Sequence, residues 1–430
     1  MGFWRAILAD NAEESECAWN VVHEICEDLI DLGNKRFQNG ENQSKAYESA
    51  LLYGYMARCS ASGNWLEKAE EALNRSITVA RNMHPGLFGG ISGLGWTIDH
   101  ISKIWNCDDT QPASDDISHE IDGKLLKGVG TKEWRGPYDL IHGLVGMGVY
   151  FIERLPRSAA EKALVQIVDH LERLCEVDGR SCTWRTRSEQ LMGWQRVHHA
   201  NGYYNLGVAH GVPGVIQFLD NLAALGIEYR RCRQLAEGAT RWLLEHARKR
   251  ADGTWFGTWI TPLGEMPPAR FAWCYGDLGI VGTLSQFADR GENPAFEECL
   301  DDILDQCLKR DAGQVNIEDS PFCHGAIGAA HIFNRIYQRT GDSRCRERAL
   351  HWIEIALRMR QPGNGIGGVL AVQPNLSVGG ESLHVANPSL LDGAIGVALV
   401  LLAAVSPTEP EWDRMFLMSS KTLSNHPKQN

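Results

Sequence analysis

The chain has 430 residues, of which 43% are hydrophobic and 22% are charged, a balance that allows a large core and excludes a generally disordered protein. Acidic residues outnumber basic ones by 54 to 42, which gives a formal net charge of −12. Such a chain is poorly suited to nucleic acid or anionic lipid, because both carry negative charge themselves. The longest apolar run, residues 393–405, is shorter than the ~20 residues of a membrane-spanning helix, so we expect no direct membrane insertion.

The start of the chain turns acidic too early for a secretory signal peptide, since MGFWRAILAD is followed by NAEESE. We therefore expect a cytoplasmic protein. Its 12 cysteines are scattered, without a CxxC pair. In a reducing compartment such cysteines are thiols or metal ligands rather than disulfides.

A Gly-x-x-Gly motif followed by an apolar stretch recurs along the chain. Its six copies begin at Gly90, Gly143, Gly211, Gly276, Gly325 and Gly393. The spacing leaves room for two helices and their loops in each unit. A weaker seventh unit lies upstream, at residues 50–63, where the glycine pair has degenerated.

Amphipathic segments lie between these motifs. Residues 164–175 and 345–359 place apolar side chains at the i, i+3, i+4, i+7 spacing of a helix with one buried face. Each unit is therefore predicted to be a glycine-led inner helix followed by an amphipathic outer helix. Units of this kind bury a core only by stacking on their neighbours, and seven pairs can close into a ring.

The predicted fold is all-α, an α/α toroid with a double ring of seven inner and seven outer helices. We predict one domain over residues 1–430, with the repeats between about 45 and 405. The glycines are expected to let helix ends crowd around a common axis without side-chain clashes. Two stretches, 176–204 and 251–270, lack the helical period and are predicted to be long loops or small β excursions over one end of the ring.

Alignment of the units on their first glycine brings chemically active residues into register. In the last five of the six units, the residue before that glycine is, in chain order, His142, His210, Tyr275, His324 and Asp392. Two neighbouring units carry a cysteine one position earlier, Cys274 and Cys323. Because equivalent positions in a ring face the same axis, Cys274, Cys323 and His324 are predicted to converge. Two thiolates and one imidazole favour zinc, with the fourth position open as in catalytic sites.

Three further residues are candidates for catalysis on the same reasoning. His210 lies at the level of the predicted metal site and is a candidate general acid or base. Asp139, four residues before its glycine, is placed to orient that histidine. Arg270, four residues before Cys274, is placed to stabilise a developing anion.

Several motifs together resemble the signatures of a known family. RFAWCYG (270–276), FCHG (322–325), AHGVPG (209–214) and YDLIHGLVG (138–146) are similar to the motifs of the lanthionine synthetase C-like cyclases, the LanC family. NPSLLDGAIG (387–396) resembles the last repeat of that family. The likeness extends from about residue 45 to residue 405.

The resemblance implies roles for particular residues. The zinc ligands of the family match Cys274, Cys323 and His324, and its proposed acid/base histidine matches His210. The remaining matches are the family's carboxylate, arginine and tyrosine, which correspond to Asp139, Arg270 and Tyr275. The family motif does not fix the position of His142, which we interpret as structural.

The activity that the resemblance implies is zinc-dependent lanthipeptide cyclisation. In this reaction a cysteine thiol of a dehydrated precursor peptide adds to a dehydroalanine or dehydrobutyrine of the same peptide, which gives a lanthionine or methyllanthionine thioether ring. The cyclase would be the standalone type of two-enzyme pathways. The implied partners are a dehydratase and an exporter, through which it would associate peripherally with a membrane.

Other functions remain open at this stage. A zinc-bearing peptide-binding scaffold without catalysis, and a related enzyme that adds glutathione to dehydroamino acids, would both keep the zinc ligands. The DDILD sequence at 301–305 matches the magnesium motif of terpene cyclases, but the helical period places its carboxylates on a solvated face. A toroidal glycosidase would need two carboxylates at the cavity, where only Asp139 and Asp392 are placed.

Overall fold

The computed structural model describes residues 4–60, 62–105, 115–130, 132–288, 293–373 and 382–421. Within these residues the chain is mainly helical. Its α-helices are α1 (Ala12–Gln38), α2 (Ala46–Cys59), α3 (Trp65–Ile77), α4 (Ile91–Trp105), α5 (Asp115–Val129), α6 (Leu144–Glu153), α7 (Ser158–Leu174), α8 (Gly193–His198), α9 (Val212–Ala224), α10 (Tyr229–Glu245), α11 (Asp277–Ala288), α12 (Pro294–Leu308), α13 (Ala312–Val315), α14 (Ala326–Thr340), α15 (Ser343–Arg358) and α16 (Ala394–Val405). Short 3₁₀ helices cover Ala80–Asn82, Ser188–Gln190 and Glu411–Phe416.

The helices form two concentric rings. In the described part of the chain, seven helices pack side by side in a closed inner ring, in the order α2, α4, α6, α9, α11, α14 and α16, and α16 packs against α2. Each inner helix carries one outer partner, respectively α3, α5, α7, α10, α12, α15 and α1. The inner helices are almost wholly buried; every residue of α16, for example, is buried. The predicted α/α toroid of seven inner and seven outer helices is confirmed.

The two ends of the chain meet in this ring. The weak unit predicted at residues 50–63 contains most of α2, an inner helix, whose outer partner α3 follows it. Helix α1 lies before the predicted range of the repeats and forms the outer partner of α16, the last inner helix. The outer ring is therefore closed by a helix from the opposite end of the chain.

The glycine pairs relieve a local crowding rather than a crowding at the axis. A Cβ atom on Gly328 would lie 1.9 Å from the carbonyl oxygen of Phe322, and one on Gly279 would lie 2.1 Å from that of Trp273. The second glycine of each motif meets the carbonyl six residues earlier in this way, at Gly93, Gly146, Gly214, Gly279, Gly328 and Gly396. The loop before each inner helix thus folds back onto its first turn, which leaves no room for a side chain.

Backbone hydrogen bonds join the loops of successive units. The Cys274 N–H donates to the carbonyl of Cys323 over 3.3 Å, and the Cys323 N–H donates to that of Leu391 over 2.9 Å. An equivalent bond joins Ala209 to Cys274. Similar bonds, with the donor one position earlier in the loop, join Leu87 to Ile141 and Leu140 to Ala209. These bonds hold equivalent positions of neighbouring units in contact.

Side chains replace this backbone pairing in the degenerate first unit. On one side, the hydroxyl of Tyr47 accepts from the Gly89 N–H over 2.9 Å and lies 3.3 Å from the carbonyl of Leu87, to which it donates. On the other side, the Glu48 carboxylate accepts from the Leu390 N–H over 2.7 Å. Tyr47 and Glu48 therefore close the ring where the glycine loop is missing.

Short antiparallel strands lie in the long connections. They are β1 (Glu176–Asp178), β2 (Ser181–Thr183), β3 (Arg185–Thr186), β4 (Tyr203–Asn205), β5 (Trp259–Ile260), β6 (Ala371–Gln373) and β7 (Leu383–Val385). In the described residues, β1 pairs with β2, β3–β4–β5 form a three-stranded sheet, and β6 pairs with β7. The predicted β excursions in 176–204 and 251–270 are confirmed, whereas the β6–β7 hairpin was not anticipated.

The DDILD sequence lies on the outer ring. Asp301 and Asp302 lie exposed on the outer helix α12, and Asp305 pairs with Arg344 over 2.8 Å, so the DDILD sequence faces away from the hub. No helix among the described residues is both long and apolar enough to cross a lipid bilayer.

We expect Gly328→Ala to destabilise the protein by about 1–3 kcal/mol, as is typical of overpacking, because the new methyl group would overlap the Phe322 carbonyl. Gly123→Ala is the matched control. Gly123 lies within α5 with open space around it, so this change should stabilise the helix by about 0.5–1 kcal/mol. Urea unfolding followed by circular dichroism measures both, and equal effects would contradict the steric argument.

We expect Glu48→Ala to cost about 1–3 kcal/mol of unfolding free energy, because it leaves the buried Leu390 N–H without an acceptor. Glu48→Gln keeps an acceptor oxygen and should cost less. Glu71→Ala removes an exposed carboxylate from α3 and should change stability by less than about 0.5 kcal/mol. Thermal unfolding of the three variants tests the order, and an unaffected Glu48→Ala protein would show that this contact does not support the ring.

Candidate metal centre

Two cysteines and one histidine meet at the hub of the ring. The ligand atoms of Cys274, Cys323 and His324 all lie within 4.8 Å of one another. A tetrahedral zinc ion with bonds of about 2.0–2.3 Å sets its ligand atoms just under about 4 Å apart. The three side chains therefore fit such an ion after a small adjustment, and sulfur with imidazole nitrogen is a donor set that zinc favours.

The fold brings this cluster together through the loops before α11 and α14. The hydrogen bond from the Cys274 N–H to the Cys323 carbonyl fixes the two loops to each other. The residues just before the cysteines, Trp273 and Phe322, pack on Phe416 beneath the hub, where the indole N–H of Trp273 donates to the Phe416 carbonyl over 3.1 Å. The two cysteines line the cavity above.

The cysteine pair is poised to hold a proton between its sulfur atoms. A hydrogen bond from Cys323, aided by His324 and the charge of Arg270, lowers the pKa of Cys274 to about 5 despite its burial. The same hydrogen bond and desolvation raise the pKa of Cys323 well above its ordinary value. A divalent cation that binds here would displace that proton, because metal ligation requires thiolates.

Two carboxylates surround His324. Asp392, which the alignment placed in register, has an oxygen 3.8 Å from His324 Nδ1. Asp319 was not anticipated: it is only 4% exposed, one oxygen accepts from the Val372 N–H over 2.8 Å, and the other has no hydrogen-bond partner among the described residues. Desolvation raises the pKa of Asp319. Its position four residues before Cys323 is the offset that singled out Arg270 before Cys274, so the sequence did contain a signal for it.

His210 and Asp139 form a pair in the same cavity, in the loops that precede the Cys274 loop around the ring. Nδ1 of His210 lies 2.7 Å from one oxygen of Asp139, and the other oxygen accepts from the His142 N–H over 2.7 Å. Desolvation lowers the pKa of His210, but the hydrogen bond and the charge of Asp139 outweigh it, so the net shift is upward. The side chain of His210 is 35% exposed and lines the cavity. The arrangement leaves Nε2 available to a substrate.

Tyr275 and Arg270 line the same cavity. The hydroxyl of Tyr275 accepts from the side-chain amide of Asn205 over 3.1 Å, and desolvation raises its pKa, so it keeps a proton that it can donate. Arg270 is exposed and makes no hydrogen bond or ion pair with any residue that the structure describes. Asn205, which positions Tyr275, was missed because it lies in β4, outside the aligned register.

Two further histidines, His142 and His84, lie in succession beside His210. The ring of His142 lies 6.0 Å from that of His210 and 6.1 Å from that of His84, measured between centroids. Desolvation lowers the pKa of both His84 and His142. His142, interpreted from the sequence as structural, does hold Asp139 through its backbone, but its side chain also lines the cavity.

The cavity above the cluster has a volume of about 650 Å³. Its upper wall contains Gln195, Thr258 and Trp259, which belong to the two stretches predicted to cover one end of the ring. The ring of Trp259 stacks on Tyr203 with centroids 5.0 Å apart. A cavity of this size accommodates a small ligand or part of a peptide.

Comparisons with known proteins agree with the motifs. Residues 49–417 match the family described as "Lanthionine synthetase C-like protein". Among solved structures, the chain is similar to a "Nisin cyclase", with a TM-score of 0.71 and 16% sequence identity over 91% of this chain and 97% of that one. At this identity the likeness establishes the fold. No curated protein sequence matches the chain.

Proposed function

The chain belongs to the lanthionine synthetase C-like family, and from that premise we propose that it is a zinc-dependent lanthipeptide cyclase. The observation that carries the proposal is the Cys274–Cys323–His324 cluster, which shares one cavity with the His210–Asp139 pair. The protein would act in the cytoplasm on a dehydrated precursor peptide, and its partners would be a dehydratase and an exporter, through which it would associate peripherally with a membrane. The products would be lanthionine and methyllanthionine rings.

Cys274, Cys323 and His324 would hold the zinc ion, and three protein ligands are what catalytic zinc sites provide. When bound, zinc supplies a Lewis acid that lowers the pKa of a thiol ligand. Asp392 and Asp319 add negative charge beside His324 and favour a cation at this position. The buried cysteines and the more accessible histidine leave the cluster open toward the cavity.

The chemical step adds sulfur and hydrogen across a carbon–carbon double bond. The substrate thiolate forms a bond to the β-carbon of the dehydroamino acid, the π bond breaks, and its electron pair moves onto the α-carbon and adjoining carbonyl. His210 then donates a proton from Nε2 to the α-carbon. The proton that the thiol releases balances the one consumed, so the reaction needs no oxidant or reductant.

Three side chains prepare the cavity for this step. Asp139 fixes the orientation of His210 and keeps its pKa raised, so the imidazole holds its proton closer to neutral pH. Tyr275, oriented by Asn205, can donate its hydroxyl proton to the enolate oxygen. Arg270, free of protein partners in the described chain, supplies a positive charge to the same developing anion. Holding thiol and alkene in one cavity contributes proximity.

We expect the wild-type protein to contain about one zinc ion per chain, as a three-ligand catalytic site would, and to remove free thiols from a peptide that carries cysteine and dehydroalanine. Cys274→Ala should lose both properties. Cys307→Ala is the control, because Cys307 is a buried core cysteine on α12. Elemental analysis measures the metal, and thiol alkylation with mass spectrometry measures cyclisation.

The possible outcomes of that experiment separate the competing functions. A zinc-loaded wild-type protein that leaves the peptide thiols free would indicate a binding scaffold. A peptide that gains the mass of glutathione when glutathione is supplied, without forming a ring, would indicate the glutathione-adding activity. Equal zinc loss in both cysteine variants would contradict the proposed ligands.

We expect His210→Ala to lower kcat by about 10²- to 10⁴-fold, the usual contribution of a general acid. Because His210 acts in its protonated form, activity should be present below its pKa and lost as the pH rises through it. Asp139→Asn removes the charge that raises this pKa, so the decline should begin at least about one pH unit lower. Measurements of kcat and kcat/KM as a function of pH test both variants, with zinc content as the control. An unchanged profile for Asp139→Asn would exclude His210 as the acid.

A further inference from the structure

A second cavity of about 650 Å³ adjoins the one above the metal cluster. It lies between α1, α2 and α3 on one side and the β6–β7 hairpin with the loop before α16 on the other. The residues common to the walls of both cavities are Lys45, Glu48, Arg270, His324, Ser389 and Asp392. A groove therefore leads from the hub to the outer helices α1 and α3.

The outer part of this groove is positively charged. Its walls carry Arg36 from α1 and Lys68 and Arg75 from α3, and Lys45 stands where it joins the metal cavity. We call these four residues and the space between them the basic groove. Lys45 and Lys68 have no carboxylate within ion-pair distance in the described part of the chain. This positive charge is local, since the chain as a whole carries −12.

Carboxylates pair with two of the four basic residues of the groove. Glu71 and Glu41 lie 3.8 Å from Arg75 and Arg36 and are 61% and 52% exposed. These glutamates offset the charges of Arg75 and Arg36 in part, so the net positive charge of the groove rests mainly on Lys45 and Lys68. Glu48 accepts a hydrogen bond from the Leu390 N–H and forms no ion pair with a basic residue of the groove in the described part of the chain.

Contacts with α1 hold the guanidinium of Arg75 in place. Its guanidinium donates to the side-chain oxygen of Asn34 over 2.9 Å and lies 5.5 Å from the ring centroid of Phe37. A Cβ on Gly33 would come within 2.8 Å of the guanidinium, so α1 leaves space for it. Lys68 and Arg75 lie seven residues apart on α3, about 10 Å along the helix, and thus extend the charge along the groove.

We propose that the basic groove binds an acidic segment of the substrate peptide that lies outside the residues that form the ring. The identity of the substrate rests on the proposed function; the preference for acidic side chains rests on the groove. Electrostatic complementarity selects such a segment and steers its approach. An anchored segment raises the effective concentration of the cysteine and the dehydroamino acid at the hub.

The test uses the double variant Arg36→Glu/Lys68→Glu and a fluorescent peptide with a run of glutamates. The peptide carries serine and alanine in place of the reacting residues, so binding does not depend on the metal cluster. A second peptide has glutamine at each glutamate. We expect wild type to bind the acidic peptide about tenfold more tightly than the glutamine peptide, and the double variant to lose this preference, a change of about 1.4 kcal/mol.

The control is Lys127→Glu/Lys162→Glu, which makes the same change in net charge on exposed positions of α5 and α7 and should bind as wild type does. Raising the salt from about 0.1 M to about 1 M shortens the screening length from about 10 Å to about 3 Å and should remove the preference. A lysine version of the peptide should bind the Arg36→Glu/Lys68→Glu protein better than wild type. Thermal unfolding and zinc content show whether each variant is folded.

The outcomes distinguish this proposal from the proposed function. If the acidic and glutamine peptides bind alike, or if the control variant loses as much affinity, the basic groove does not select acidic segments. If cyclisation proceeds with the same KM for substrates with either segment, the groove proposal is wrong and the cyclase stands. If the acidic peptide binds as expected while no substrate is cyclised, the groove stands and the cyclase does not.

Discussion

The structure depends on the hydrogen bonds that join the loops of successive units at one end of the inner ring. The bond from the Cys274 N–H to the Cys323 carbonyl is one of them. A single bond of this kind contributes only about 0.5–1.5 kcal/mol, but each also fixes one loop in register with the next. Residues at the same position of different units are thereby brought into contact although dozens of residues separate them along the chain. The metal cluster is a direct consequence, because its two cysteines occupy that position in neighbouring units.

The same alignment of the loops places reactive side chains from different units around the hub. One unit contributes Asp139 and the next His210, and the two side chains meet at 2.7 Å; two later units contribute the cysteines. Groups of the loops also orient these side chains, as when the His142 N–H donates to the second oxygen of Asp139. Such a site is organised before substrate arrives, since its dipoles and charges belong to a backbone that the ring holds.

The sequence predicted the features that repeat and missed those that do not. Repeated glycines and helical periodicity were enough to predict the toroid, and alignment on the glycines was enough to bring Cys274, Cys323 and His324 together. The partnership of α1 with α16 could not be predicted, because periodicity identifies a buried face but not the helix that covers it. The function of Tyr47 and Glu48 was equally hidden, since side chains there replace backbone groups and leave no motif. The glycines were interpreted correctly as relieving crowding, but the crowding arises within each loop rather than at the axis.

The degenerate first unit also explains where the basic groove lies. In the other inner-ring units a glycine loop precedes the inner helix and covers its start, whereas α2 begins soon after α1 ends, with only residues 39–45 between them. The groove begins at this position, lined by α2, α1 and α3. Tyr47 and Glu48 close the ring with side chains that occupy less space than a loop. Ring closure and access to the metal cluster from the outer helices thus result from the same missing loop.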